Sequence, residues 1–207
     1  MPRPIYLTVV SSFAFLATVS FFSSRSSAGW KEEAEAADIR ADYATSLRIV
    51  EPLAVHGDAD AQVNLGVRYQ SGLGVAQDYG KAINWFRRAA EQGNSDGYGW
   101  LGIMYGMGQG VPKDSVEAAK WSLKAADAGL TFSQYLIAQR YALGQGVPTN
   151  YIEAYKWLHL AIDGEKDKEN LKIFQTLHLM IIRKMTAEQI SRAEFLMGEW
   201  KSKHVAR

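Results

Sequence analysis

The residues best suited to acid–base work or metal binding are His56, His159, His178 and His204. A metal site needs donors at short helical spacings, and none of the four pairs with a second histidine or a carboxylate in a constellation strong enough to assign one. They read as packing or surface histidines. Ser-His-Asp catalysis needs a strained turn that raises the serine, and the chain has no such elbow motif. Glu32, Glu33 and Glu35 crowd carboxylates together, but they share no helix face with a base, and charge runs of this kind face water. Gly72-Leu73-Gly74 and Gly108-Gln109-Gly110 look like phosphate loops. No strand pattern precedes them and the later glycine of the fingerprint is missing, so they are turn residues. No catalytic, cofactor-binding or metal-binding residue is assigned, and no enzymatic activity is expected.

What positions these residues is a repeat. Asp42-Tyr43, Asp78-Tyr79, Asp114-Ser115 and Asn150-Tyr151 follow one another at intervals of 36 residues. Residues 58–93 align without a gap on 94–129. The identities include Leu65 with Leu101, Gly66 with Gly102, Tyr69 with Tyr105, Gly72 with Gly108, Gly74 with Gly110, Asp78 with Asp114 and Trp85 with Trp121. A third copy, 130–164, keeps Tyr141, Gly144, Gly146 and Trp157 and slips by one residue at Gly164. Residues 42–57 supply the second half of an earlier unit. Ala61, Leu65 and Tyr69 recur at intervals of four, which places them on one face of a first helix, A. Gly66 and Gly102 fall inside that helix at a cost of about 1 kcal/mol relative to alanine, so close approach of a neighbouring helix is expected to offset them. The loop glycines stop helix A, with a left-handed residue available to either one. Asp78, Asp114 or Asn150 then caps a second helix, B. In helix B the spacing of Ala82, Trp85 and Ala89 puts one large ring between two small residues on the packed face.

This signature, including Leu65-Gly66, Tyr69, Gly72-Leu73-Gly74-Val75, Asp78-Tyr79, Ala82, Trp85-Phe86, Ala89-Ala90 and Gly93, resembles the Sel1-like repeat, a helical-hairpin relative of the tetratricopeptide repeat. The resemblance spans about Asp42 to Gly164. It implies an all-α, right-handed α-α solenoid of helix-turn-helix units, used as an adaptor or scaffold for a protein partner. It also implies that helix A lines the concave side.

At the N-terminus, Arg3 precedes an apolar stretch over residues 5–22, and Ser26-Ser27-Ala28 offers the small residues that a signal peptidase reads. Residues 1–28 are therefore expected to be a signal peptide, which implies a periplasmic or secreted protein. The alternative is an inner-membrane anchor over 5–22, a length at the border for spanning. Removing Arg3 and Arg25 changes the balance of 23 basic against 22 acidic residues to 21 against 22. A mature net charge of −1 offers nothing to nucleic acid, and membrane contact is expected only through the N-terminal segment. No cysteine is present, so disulfides cannot staple the stack and inter-repeat packing must hold it.

Residues 29–41 read as a charged helical lead-in facing solvent. Residues 165–207 read as two capping helices, with a stripe of Leu171, Phe174, Leu177 and Ile181. A capping box of Thr186 with Gln189 follows, then Ile190, Ala193, Met197 and Trp200 on one face. A partner-binding face is expected at helix A positions outside the stripe of Ala61, Leu65 and Tyr69, namely Val63, Val67, Gln70, Ile103, Tyr135 and Gln139. Several are apolar and they vary between copies, which suits a groove for an extended peptide or a helix. Packing of Val67 and Ile103 between repeats is the alternative, since a stripe alone does not separate core from groove. A structural component that engages cell-wall or polysaccharide machinery is the second functional class, and a hydrolase the third.

Overall fold

The structure, a computed structural model, describes residues 29–204; the leader expected at residues 1–28 lies outside them. Ten helices and no strands occur among the described residues: α1 (Trp30–Ile39), α2 (Tyr43–Val55), α3 (Ala59–Ser71), α4 (Tyr79–Glu91), α5 (Ser95–Met107), α6 (Ser115–Asp127), α7 (Thr131–Leu143), α8 (Tyr151–Gly164), α9 (Lys168–Ile182) and α10 (Ala187–His204). Helices α3, α5 and α7 are the A helices and begin 36 residues apart, as do the B helices α2, α4, α6 and α8. Each A helix packs on the B helices before and after it in the chain, so the molecule is an all-α solenoid of helix pairs.

Local chemistry starts and stops each helix. The side chains of Asp42, Asp78, Asp114 and Asn150 each accept backbone N–H bonds from the first turn of the following B helix, at 2.9–3.1 Å. Asp58 and Asn94 do the same for α3 and α5, at 2.8 and 2.9 Å. Each cap is worth about 1 kcal/mol. Both loop glycines are left-handed, as at Gly144 (φ 67°) and Gly146 (φ 77°), and the second also touches the preceding repeat. A Cβ on Gly146 would stand 1.8 Å from the carbonyl oxygen of Ser115, and one on Gly110 would stand 2.3 Å from that of Tyr79. The loop of one repeat is thereby seated on the first turn of the previous B helix.

The helix A stripe divides between core and rim. Leu65 and Leu101 are buried, as expected of its centre, whereas Tyr69, Tyr105 and Tyr141 are only half-buried at its end. Each tyrosine has a backbone task that explains its place. The carbonyls of Tyr69, Tyr105 and Tyr141 accept the N–H of Asp78, Asp114 and Asn150 at 2.8–2.9 Å, tying the last turn of helix A to the cap of helix B. The Tyr105 hydroxyl reaches the previous repeat, where Arg87 Nη2 donates to it at 3.0 Å.

The cost of Gly66 and Gly102 inside their helices is offset by contact with helix B of the same repeat. A Cβ on Gly66 would lie 2.5 Å from the Phe86 ring, and one on Gly102 would lie 2.7 Å from Ser122 Oγ. Phe86 is fully buried and stacks on Trp100 of the next repeat, with centroids 5.3 Å apart. Here the structure corrects the expectation for helix B. Ala82 and Ala89 are buried, but the ring at the centre of the packed face is Phe86, and Trp85 and Trp121 stand half-buried beside it. Arg88 lies over the Trp85 ring at 4.5 Å and Lys124 over Trp121 at 4.6 Å. Trp157 is buried, and Trp200 of α10 packs edge-on against it at 6.1 Å.

Helix α1 departs from the solvated lead-in expected of residues 29–41. Glu32, Glu33 and Glu35 lie on its outer side, but Ala34 and Ala37 are buried against α2. Ser46 Oγ donates to the Ala34 carbonyl at 3.0 Å, Lys31 pairs with Asp60 at 2.5 Å, and Arg68 pairs with Asp38 at 2.6 Å. The segment thus packs as an A helix on the first B helix. At the other end Phe174, Leu177 and Ile181 of α9 and Ala193 of α10 are buried. The Thr186–Gln189 capping box forms reciprocally, at 2.9 and 3.2 Å.

Candidate functional site

An A helix in this array is covered by its own B helix and by the repeats on either side, which leaves a narrow strip for a partner. In α3 every residue from Ala61 to Arg68 is buried. Val63 and Val67 are therefore core residues, and Tyr135 is likewise buried, with its ring stacked on Phe174 at 4.6 Å. A partner cannot reach these three without opening the stack, so they leave the candidate face. Gln70, Ile103 and Gln139 keep partial exposure. Sequence reasoning misses Met107 (44% exposed) and Leu143 (39%), which occupy one position at the ends of α5 and α7. Leu179 (51%) and Met180 (37%) stand 36 and 37 residues beyond Leu143 on α9. Each lies near the C-terminal end of its helix. The signal that could have found the first two is the 36-residue spacing of large apolar residues just before a loop glycine.

The two ends of the A helices differ in charge. In the first turns, Asp60 is held by Lys31 and by Asn94 Nδ2 at 2.8 Å, while Asp96 of α5 lies half-buried nearby. Burial, reinforced by the negative charge of Asp60 and eased by Lys31, pushes the Asp96 carboxyl up to about 6. In the last turns, Arg68 of α3 and Arg140 of α7 occupy equivalent positions two repeats apart. Arg68 is 2% exposed and donates to Asn64 at 2.7 Å, Asp38 at 2.6 Å and Ser46 at 2.5 Å. Arg140 makes no side-chain bond to any described residue, and its Nε is buried without an acceptor.

Two histidines unrelated in sequence spacing meet between α8 and α9. His159 Nε2 lies 3.1 Å from His178 Nδ1, and His159 stacks on Tyr155 at 4.1 Å. Burial and the neighbouring His178 hold His159 below the usual histidine range. Among the described residues no group of three or more histidine and carboxylate side chains is placed to hold a metal ion. No described helix is long and apolar enough to cross a membrane.

A family model described as the Sel1 repeat matches residues 59–94, 95–130 and 131–165, and each match begins at the first residue of α3, α5 or α7. The chain is similar to c5321, a protective antigen present in uropathogenic Escherichia coli strains and displaying an SLR fold. Identity to c5321 is 33% and the TM-score 0.68, over 77% of this chain and 33% of that one. It is also similar to a Sel1 repeat protein from Oxalobacter formigenes, with 35% identity and a TM-score of 0.54 over 61% of this chain and 97% of that one. The chain thus spans about a third of the length of c5321. No curated protein matches it.

Proposed function

The chain belongs to the Sel1 repeat family, and from that premise we propose that it is an exported, non-catalytic adaptor that binds a protein partner along the concave A-helix side of the array. Sel1 repeat proteins generally mediate protein–protein interaction. The observation that carries the finer reading is the strip of exposed apolar residues on three successive A-type helices, Met107, Leu143, Leu179 and Met180, with Ile103, Gln139 and Gln70 at its edge. Large apolar side chains left open in register suit an extended segment laid across the helices, whereas the exposed Ile39, Val55, Val116 and Phe195 share no such register. Export rests on the leader-like residues 1–28.

The test is site-specific photo-crosslinking in the native host. A crosslinker at Ile103 or Gln139 should capture one partner, and the same group at Glu91 or Lys120, exposed on B helices, should not. Equal capture from both sets, or none from the A-helix set, refutes the A-helix face. The N-terminal residue of the mature protein tests export: a start near Gly29 supports cleavage, and a start at Met1 favours the anchor.

A further inference from the structure

From the unpartnered arginine beside that strip, we propose that Arg140 is the specificity residue of the docking surface and that it receives an acidic side chain of the partner segment, flanked on both sides by apolar residues. The inference rests on the adaptor reading and names the partner's chemistry.

The position held by Arg140 is held by Arg68 two repeats earlier and by Met104 in between. Arg68 has one buried nitrogen without an acceptor too, but its others bond Asn64 on the same helix, Ser46 on α2 and the Asp38 carboxylate. At the corresponding places around Arg140 stand Leu136 and Ala118, whose side chains accept nothing. Met104 shows that an apolar side chain fits the position, since it is fully buried. The position therefore does not require a charge in the middle repeat, and the buried Nε of Arg140 lacks an acceptor. The terminal nitrogens of Arg140 are not enclosed in this way and have no acceptor among the described residues, and a carboxylate is the group whose geometry suits them best. Burial also lowers the pKa of Arg140 from its ordinary value, the direction expected of a cation without a counter-charge.

Placement joins the arginine to the strip. Arg140 Nη2 fills the space where Gly106 has no side chain, since a Cβ there would come within 2.7 Å of it. The guanidinium therefore sits beside Gly106 on α5, the residue before Met107, and Arg140 lies about one turn before Leu143 on α7. Apolar residues continue on both sides, Met107 in the earlier repeat and Leu143, Leu179 and Met180 towards the C-terminus. A chain-terminal carboxylate at Arg140 would leave half the strip uncovered, whereas an internal glutamate or aspartate lets the segment run across it. With neighbouring helix axes about 8–10 Å apart and an extended chain rising about 3.3 Å per residue, the fitting pattern is an apolar residue, an acid about three residues on, and a second apolar residue about three further.

The probe is the peptide acetyl-Leu-Ser-Ser-Glu-Ser-Ser-Leu-amide, titrated into 15N-labelled full-length protein while the Arg140 Nε–Hε signal and the Gly106 and Met107 amides are followed. Its partners are the same peptide with glutamine for glutamate, and acetyl-Leu-Ser-Ser-Leu with a free C-terminus. The expected result is saturable movement of those signals with the glutamate peptide, at least tenfold weaker binding of the glutamine peptide, and no gain for the free terminus. Arg140→Met should abolish the glutamate preference without lowering Tm, and Gly106→Ala should weaken it by displacing the guanidinium. Equal binding of the glutamate and glutamine peptides overturns the proposal, as does tighter binding of the free C-terminus or no binding at all. A fall in Tm of many degrees for Arg140→Met shows a structural arginine and also overturns it. If Ile103 and Gln139 crosslinks persist unchanged in Arg140→Met, the adaptor reading survives and this inference alone fails. If those crosslinks are absent from the unmutated protein too, the adaptor reading falls with it.

Discussion

Replacing Asp96 with asparagine should stabilise the protein at neutral pH and leave it unchanged in mild acid. Asp96 is half-buried in the first turn of α5, close enough to Asp60 for the two charges to repel, and its carboxyl titrates at about 6 against an ordinary 3.8. Between those values the folded chain binds a proton that the unfolded chain does not. Stability therefore falls as pH rises through that window, and the full penalty is present above it. At 1.36 kcal/mol per tenfold change in proton affinity, the gap corresponds to about 3 kcal/mol. Partial exposure screens some of this, and the favourable field of a helix N-terminus on a carboxylate returns about 0.3–1 kcal/mol. The net gain for Asp96→Asn is then about 1–2 kcal/mol, read from urea unfolding followed by helical circular dichroism. It should be present at about pH 7.5 and vanish near pH 4, growing between the two. Asp60→Asn should shrink the effect, because the repulsion is one of its two causes. A variant that is neutral or destabilised at the higher pH, or a gain that does not depend on pH, would refute the reasoning.

Phe86→Ala should cost about 3–5 kcal/mol and Trp85→Ala about half as much or less, since Phe86 is fully enclosed and Trp85 is only half-buried. Denaturant midpoints of the two variants decide this, and the reverse order would restore the tryptophan as the central core ring. Gly146→Ala should lose more than about 3 kcal/mol through backbone collision with Ser115 added to a left-handed φ, while Gly129→Ala, left-handed in open space, should lose about 1–2 kcal/mol. Thermal melts give the comparison directly. The His159–His178 contact, with Tyr155, Asp163, Glu194 and Lys201 around it, should make the C-terminal helices pH-sensitive. His159 is held below its unfolded pKa, so its contribution is complete above that value and is lost as pH falls through the folded one. Protection factors of α9 amides, corrected for the intrinsic exchange rate, should fall on acidification, and His159→Leu should remove that dependence.

The helix boundaries, the loop turns and the order of elements were legible in the sequence because each is enforced within a few residues. Asp42, Asp78, Asp114 and Asn150 cap helices wherever their neighbours in space lie, and paired glycines such as Gly144 and Gly146 stop them by backbone conformation. The candidate face was legible only in part. A helical stripe says which residues share a side, but in a solenoid the A helix has neighbours on three sides. That is why Val63, Val67 and Tyr135 are core, while Ile103, Gln139 and the overlooked Met107 and Leu143 reach the surface. The same stripe could not say that Leu101 would be enclosed and Tyr105, four residues on, left at the rim.

Periodicity also could not choose between adjacent residues, so it favoured the repeated Trp85 over the variable Phe86, which fills the space left by Gly66. Nor could it pair His159 with His178, 19 residues apart on different helices, or tell a paired Arg68 from an unpaired Arg140. The sequence by itself determined a repeating helical array and the register of its units, since propensity, capping and turn chemistry act locally. The tertiary structure alone decided what each unit buries and what it leaves open, because burial and the partnering of a charge depend on the repeats stacked beside it.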